Sequence, residues 1–83
     1  MSSFDFVEPL LEYVKDKAKK FLEKHGIENE YVDIERNANE NKNSLEDYIN
    51  SLLNSTVDAV AKKENKSFKE IREEFNSHYL SQN

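Results

Sequence analysis

Apolar residues recur at three- and four-residue steps in three stretches of the 83-residue chain, the interval that lines side chains along one face of an α-helix. The first stripe is Val7, Leu10, Leu11, Val14, Ala18, Phe21 and Leu22, and it predicts a helix over about residues 6–25. Pro9 has no N–H to donate and suits a first turn, so the start falls between about Asp5 and Pro9. Asp5, Glu8 and Glu12 lie toward the positive end of the helix dipole, and Lys19, Lys20, Lys24 and His25 toward the negative end. Gly26 can take the left-handed conformation that closes a helix, with Ile27 folding back on Leu22.

A second helix is predicted over about residues 44–62. Ser44-Leu45-Glu46-Asp47 reads as a capping box, in which the serine oxygen accepts a free backbone N–H and Asp47 reaches back. Such a cap is worth about 1 kcal/mol. Leu45, Tyr48, Ile49, Leu52, Leu53, Val57, Val60 and Ala61 form the stripe, and Asn50, Ser51, Asn54, Ser55 and Asp58 fall mainly opposite. The polar run Lys62 to Lys66 ends it, and a second box, Ser67-Phe68-Lys69-Glu70, opens a third helix over about residues 67–80. Its core-facing residues are Phe68, Ile71, Phe75 and Tyr79, and the last few residues are expected to fray. The expected fold is an all-α, small three-helix bundle in one domain, with an acidic, irregular or short-helical segment between helices one and two.

That segment, residues 27–43, is long for a structureless connection. Ile27, Tyr31, Ile34 and Ala38 have helical spacing, whereas Glu30 to Glu35 also suits a short strand. No second strand candidate exists in the chain. A short irregular helix is therefore preferred, with strand pairing to another chain as the alternative.

Charge singles out the same region. Residues 28–47 hold Glu28, Glu30, Asp33, Glu35, Glu40, Glu46 and Asp47 against Arg36 and Lys42, a surplus of five acids. Each flank holds five acids and five bases, so the whole formal charge of −5 belongs to the middle. Asn29, Asn37, Asn39, Asn41 and Asn43 lie there too.

Composition narrows the class. At this length a folded chain buries about 60% of its unfolded surface, which leaves a thin core. There is no cysteine, hence no disulfide or zinc–thiolate reinforcement. With no long apolar run and no basic n-region, neither a membrane span nor a signal peptide is expected, and a cytoplasmic location is. Ten lysines against two arginines, with many asparagines, suit an AT-rich genome such as that of a low-GC Gram-positive bacterium, its phages or its plasmids.

Candidate chemistry is sparse. Asp33, Glu35, Asn37, Asn39, Asn41 and Asn43 alternate as in a calcium loop, but a loop starting at Glu35 would put Glu40 where glycine is required. Lys15, Lys17, Lys19, Lys20 and Lys24 are interrupted by Asp16 and Glu23, so they read as a solvated face rather than a nucleic-acid site. Helices two and three could form a helix-turn-helix, yet Glu70, Glu73 and Glu74 would face phosphates poorly. His25 and His78 are too distant in sequence for a local metal pair, and the single glycine cannot build a phosphate cradle. No enzyme, cofactor or metal is expected.

The layout of a helix, a long acidic connection and then Asn43-Ser44-Leu45 opening a helix superficially resembles an acyl carrier protein, whose phosphopantetheine attaches to the serine of Asp-Ser-Leu. The resemblance covers three residues and a layout. Asn43 stands in place of the aspartate, no glycine precedes the motif, helix one is longer, and helix two lacks the family's acidic face. Capping accounts for Ser44 without a cofactor.

Tyr31, Val32 and Ile34 place one aromatic and two aliphatic side chains among Glu28, Glu30, Asp33, Glu35 and Glu40. An apolar anchor ringed by charge gives an interface its affinity from the centre and its approach rate and orientation from the rim. The alternative is that the three turn inward and complete the core. The expectation is a non-catalytic binding protein of the inhibitor, immunity or antidefence type that masks a basic surface of a partner protein. A helix-turn-helix regulator and a homo-oligomeric module, a homodimer through helix two, are the competing classes.

Overall fold

The computed structural model describes the backbone of residues 4–80 and the side chains of residues 8–78. Val7 and Tyr79 as stripe members, and the expected fraying of the last residues, lie outside what is described. The first stripe forms α1 (Phe4–Lys24). Its start precedes the expected window, so Pro9 sits beyond the first turn and the Asp5 carbonyl lacks the N–H it would otherwise receive. Its end follows the sequence signal. Gly26 has φ +77°, its N–H donates to the Glu23 carbonyl at 3.0 Å, and the Ile27 N–H donates to the Leu22 carbonyl at 2.9 Å.

The acidic connection is helical, which brings the expected three helices to four. A 3₁₀ turn, Glu28–Glu30, leads directly into a fourth helix, α2 (Tyr31–Glu40). Helical pitch puts Tyr31, Ile34 and Ala38 on one side, where Ile34 and Ala38 are buried; a strand would have sent Tyr31 and Ile34 to opposite faces. The asparagines then close the helix. Both the backbone N–H and the side-chain amide of Asn41 donate to the Asn37 carbonyl, at 3.1 and 2.9 Å.

Ser44, in extended conformation, caps α3 (Leu45–Glu64) by accepting the Asp47 N–H at 3.1 Å. The Asp47 carboxylate accepts the Asn43 N–H at 3.3 Å, so the reciprocal bond closes one residue upstream of the serine. α3 runs two residues past the expected end and stops at left-handed Asn65, φ 58°, with the Lys66 N–H donating to the Ala61 carbonyl at 2.9 Å. Ser67 and Glu70 complete the second capping box and open α4 (Phe68–Phe75). The expected helix over 67–80 is thus divided, because a π-helical turn, Asn76–Leu80, follows α4.

α3 packs against each of α1, α2 and α4. The core joins Val14, Ala18, Phe21 and Leu22 of α1 with Ile34 and Ala38 of α2, Leu52, Val57 and Val60 of α3, and Ile71 and Phe75 of α4. Phe21 and Phe75 meet edge to face, with ring centres 5.0 Å apart. Thr56 is the buried polar side chain of α3 and donates to the Leu52 carbonyl at 2.8 Å. Among the described residues the chain is all-α, and no helix is long and apolar enough to cross a membrane.

Three expected core residues stay partly in solvent: Leu10, Leu45 and Phe68 are 46%, 37% and 40% exposed, marking where the stripes outrun their cover. The two phenylalanines of α4 therefore separate in energy. Phe75→Ala is expected to cost about 3–5 kcal/mol in urea unfolding, whereas Phe68→Ala should cost well under half of that. Equal losses would mean that α4 packs on a different face.

Candidate functional site

α2 places the expected contact residues at three depths. Ile34 lies in the core at 8% exposure, so it supports the surface from beneath and does not form part of it. Tyr31 and Glu35 are half-buried at the flank. Glu28, Glu30, Val32, Asp33 and Glu40 are exposed, and Val32 at 61% is the most exposed of the large apolar side chains described. The outward residues of α2, at three- and four-residue steps, are Val32, Asp33, Arg36, Asn37 and Glu40. Together with the 3₁₀ turn they make one acidic ridge with an aliphatic side chain in it. Arg36, absent from the expected set, pairs with Asp33 at 3.0 Å along the ridge. Its position three residues after Asp33 was the sequence signal for that pair.

Polar contacts fix the flank of α2. The Tyr48 hydroxyl donates to the Glu35 carboxylate at 3.0 Å, joining α3 to α2. Burial, followed by that hydrogen bond and the Glu35 charge, pushes the Tyr48 phenol well above its usual value. Burial, followed by the carboxylates of Glu35 and Glu12, pushes the Tyr31 phenol up to about 12. The Lys19 ammonium stands 5.2 Å from the Tyr31 ring centre, linking α1 to α2. Both phenols stay neutral throughout the physiological range.

His25, which the sequence placed only as a helix C-terminal residue, joins the end of α1 to α3 and α4. Its Nδ1 lies 2.9 Å from Glu64 and its Nε2 3.2 Å from Glu74, while the Lys24 ammonium reaches the same Glu74 oxygen at 3.3 Å. Only the imidazolium form can donate at both nitrogens. The ring also stands edge-on to Phe21 at 4.9 Å. The partners are 39 and 49 residues away, beyond any local pattern. The His25 hydrogen bond holds Glu64 below the usual carboxylate range. Burial pushes Glu74 upward, but hydrogen bonds from His25 and Lys24 outweigh it, and the net displacement is also downward.

The remaining candidates fall into structural places. Ser44 Oγ is engaged as a cap. Among the described residues, no group of three or more His, Asp or Glu side chains is placed to hold a metal ion. The chain matches no protein-family model, no curated relative and no solved structure.

Glu64 and Glu74 give a pH dependence whose sign is fixed by the lowered folded values. Their contribution is complete above the unfolded value of 4.5 and is lost as pH falls through the lowered folded values. Between about pH 6 and about pH 3, melting of the parent is expected to fall more steeply than that of Glu64→Gln/Glu74→Gln. Parallel slopes would remove these two groups from the acid response.

Proposed function

We propose that this is a small, non-catalytic binding protein that masks a basic surface of a partner protein with the ridge of residues 28–40, as inhibitor, immunity and antidefence proteins do. The supporting observation is Val32. With Ile34 and Ala38 committed to the core, α2 leaves this aliphatic side chain 61% exposed among Glu28, Glu30, Asp33 and Glu40. Those acids belong to the stretch that carries the whole net charge of the chain.

The chemistry favours a basic partner. A carboxylate ridge raises the approach rate of a cationic surface and orients it, with effects screened over about 8–10 Å at ordinary salt. Val32 supplies a desolvated contact at the centre, and the half-buried Tyr31 ring lies at its edge. Holding the ridge on a packed helix limits the ordering entropy lost on binding. An amino-acid usage of ten lysines to two arginines suits an AT-rich phage or plasmid gene, where such blocking proteins would be at home.

The competing classes draw less support. The exposed side chains Lys69 and Arg72 of α4 are matched by Glu70 and Glu73, a poor face for phosphates. The apolar stripe of α3, which could have paired with its own copy, is mostly spent against the other helices.

The test is affinity capture from a lysate of the source host with the parent and with Val32→Asp/Glu30→Lys/Asp33→Lys. The parent is expected to retain a basic protein that the variant loses, and higher salt should weaken that capture. Exposed sites usually cost within about 0.5 kcal/mol each, so the melting temperature should stay close to the parent's. Equal capture by both proteins would move the function off the ridge, and a collapsed melting transition would make the ridge structural.

A further inference from the structure

Beside the ridge, between α1, α2 and the start of α3, lies an open cleft of about 440 Å³ with Leu11, Leu45 and the Tyr48 ring in its wall. No outward acid of the ridge lines it. Leu11 and Leu45 belong to the core stripes of their helices, yet Leu11 is only half-buried and Leu45 is exposed. The cleft is the place where both stripes are left uncovered.

Two ammonium groups line the same space, Lys15 and Lys42. Lys15 is half-buried and, among the described residues, has no ion-pair or hydrogen-bond partner. Lys42 donates to the uncharged Asn39 Oδ1 at 2.7 Å and stands 5.7 Å from the Tyr48 ring centre, with no carboxylate partner. Lys20, Lys24 and Lys62 each reach an acid, and Lys15 and Lys42 are among the described lysines that do not. With Glu35 in the same lining, Lys15 and Lys42 leave the cleft one net positive charge beside its uncovered apolar wall. The carboxylate that does line the cleft, Glu35, already accepts the Tyr48 hydroxyl.

An uncovered apolar wall beside a cationic pair complements an apolar body that carries one negative charge. We infer that the cleft binds a small apolar monocarboxylic acid in its ionised form. The body covers Leu11, Leu45 and the Tyr48 ring, and the carboxylate lies between Lys15 and Lys42. The volume equals roughly fifteen waters' share of liquid, room for about a dozen heavy atoms. This site uses none of the ridge's outward acids, so it stands or falls separately from the masking function.

The experiment titrates 4-phenylbutyrate into isotope-labelled protein and follows amide shifts, with 4-phenylbutan-1-ol as the neutral counterpart and acetate as the charge without the body. Saturable shifts around Leu11, Lys15, Leu45 and Tyr48 are expected for the acid, with binding at least about five-fold weaker for the alcohol and undetectable for acetate. Lys15→Met/Lys42→Met should weaken the acid about ten-fold or more, and Lys15→Arg/Lys42→Arg should largely keep it. If the methionine variant does not fold, the contrast between acid and alcohol on the parent decides. Equal affinity for acid and alcohol, no saturable shift with the acid, or undiminished binding by a folded methionine variant overturns the proposal. So does binding confined to a peptide ending in a free leucine carboxylate, which would make the cleft a receptor for chain termini.

Discussion

The apolar stripe of α3, from Tyr48 to Ala61, is wider than any one neighbouring helix can cover, and the other helices are arranged to satisfy it. α1, α2 and α4 each pack against it, α4 through Ile71 and Phe75, in a core that at this size has little to spare. The arrangement explains how so short an element as α4 persists. Eight residues are too few to hold a helix in water, so α4 depends on its cap, on the ring contact between Phe75 and Phe21, and on Glu74 meeting His25 and Lys24.

The two ends of the bundle are secured by different chemistry. At one end the C-terminal turns of α1 and α3 meet α4 around His25, whose two ring nitrogens each meet a carboxylate. At the other, α2 is attached through Ile34 and Ala38, with the neutral Tyr48 hydroxyl bonded to Glu35. The outward acids of α2 take no part in the ionic cluster around His25. Outward acids of α2 can be numerous because the core asks only for that helix's inner side.

Much of the architecture was legible because it is local. Gly26, Ser44 and Ser67 each announce a helix boundary by a property of one residue, and each boundary lies within a residue or two of its signal. α2 was less legible. Only Ile34 and Ala38 of its ten residues are buried, so its periodicity is short, and its asparagines favour turns as readily as helix ends. Placing Ile34 on the interaction surface followed from the same gap, since a ten-residue pattern does not say which side meets the core. The association of His25 with Glu64 and Glu74 could not be read at all, because it depends on three helix ends converging. Neither could the cleft beside Tyr48, since Leu11 and Leu45 look like any other stripe positions until their neighbours are placed.

The division of labour within α2 has a bearing on how such a chain can change over generations. Ile34 and Ala38 anchor the helix, while Val32, Asp33, Arg36, Asn37 and Glu40 touch little that the fold requires. Substitutions at exposed positions of that kind usually alter stability by about 0.5 kcal/mol or less. The outward face can accordingly drift, and with it the shape and charge offered to the surroundings, while the scaffold stays intact. A lineage built on this plan would diverge fastest along one side of one ten-residue helix and keep the inner side nearly unchanged.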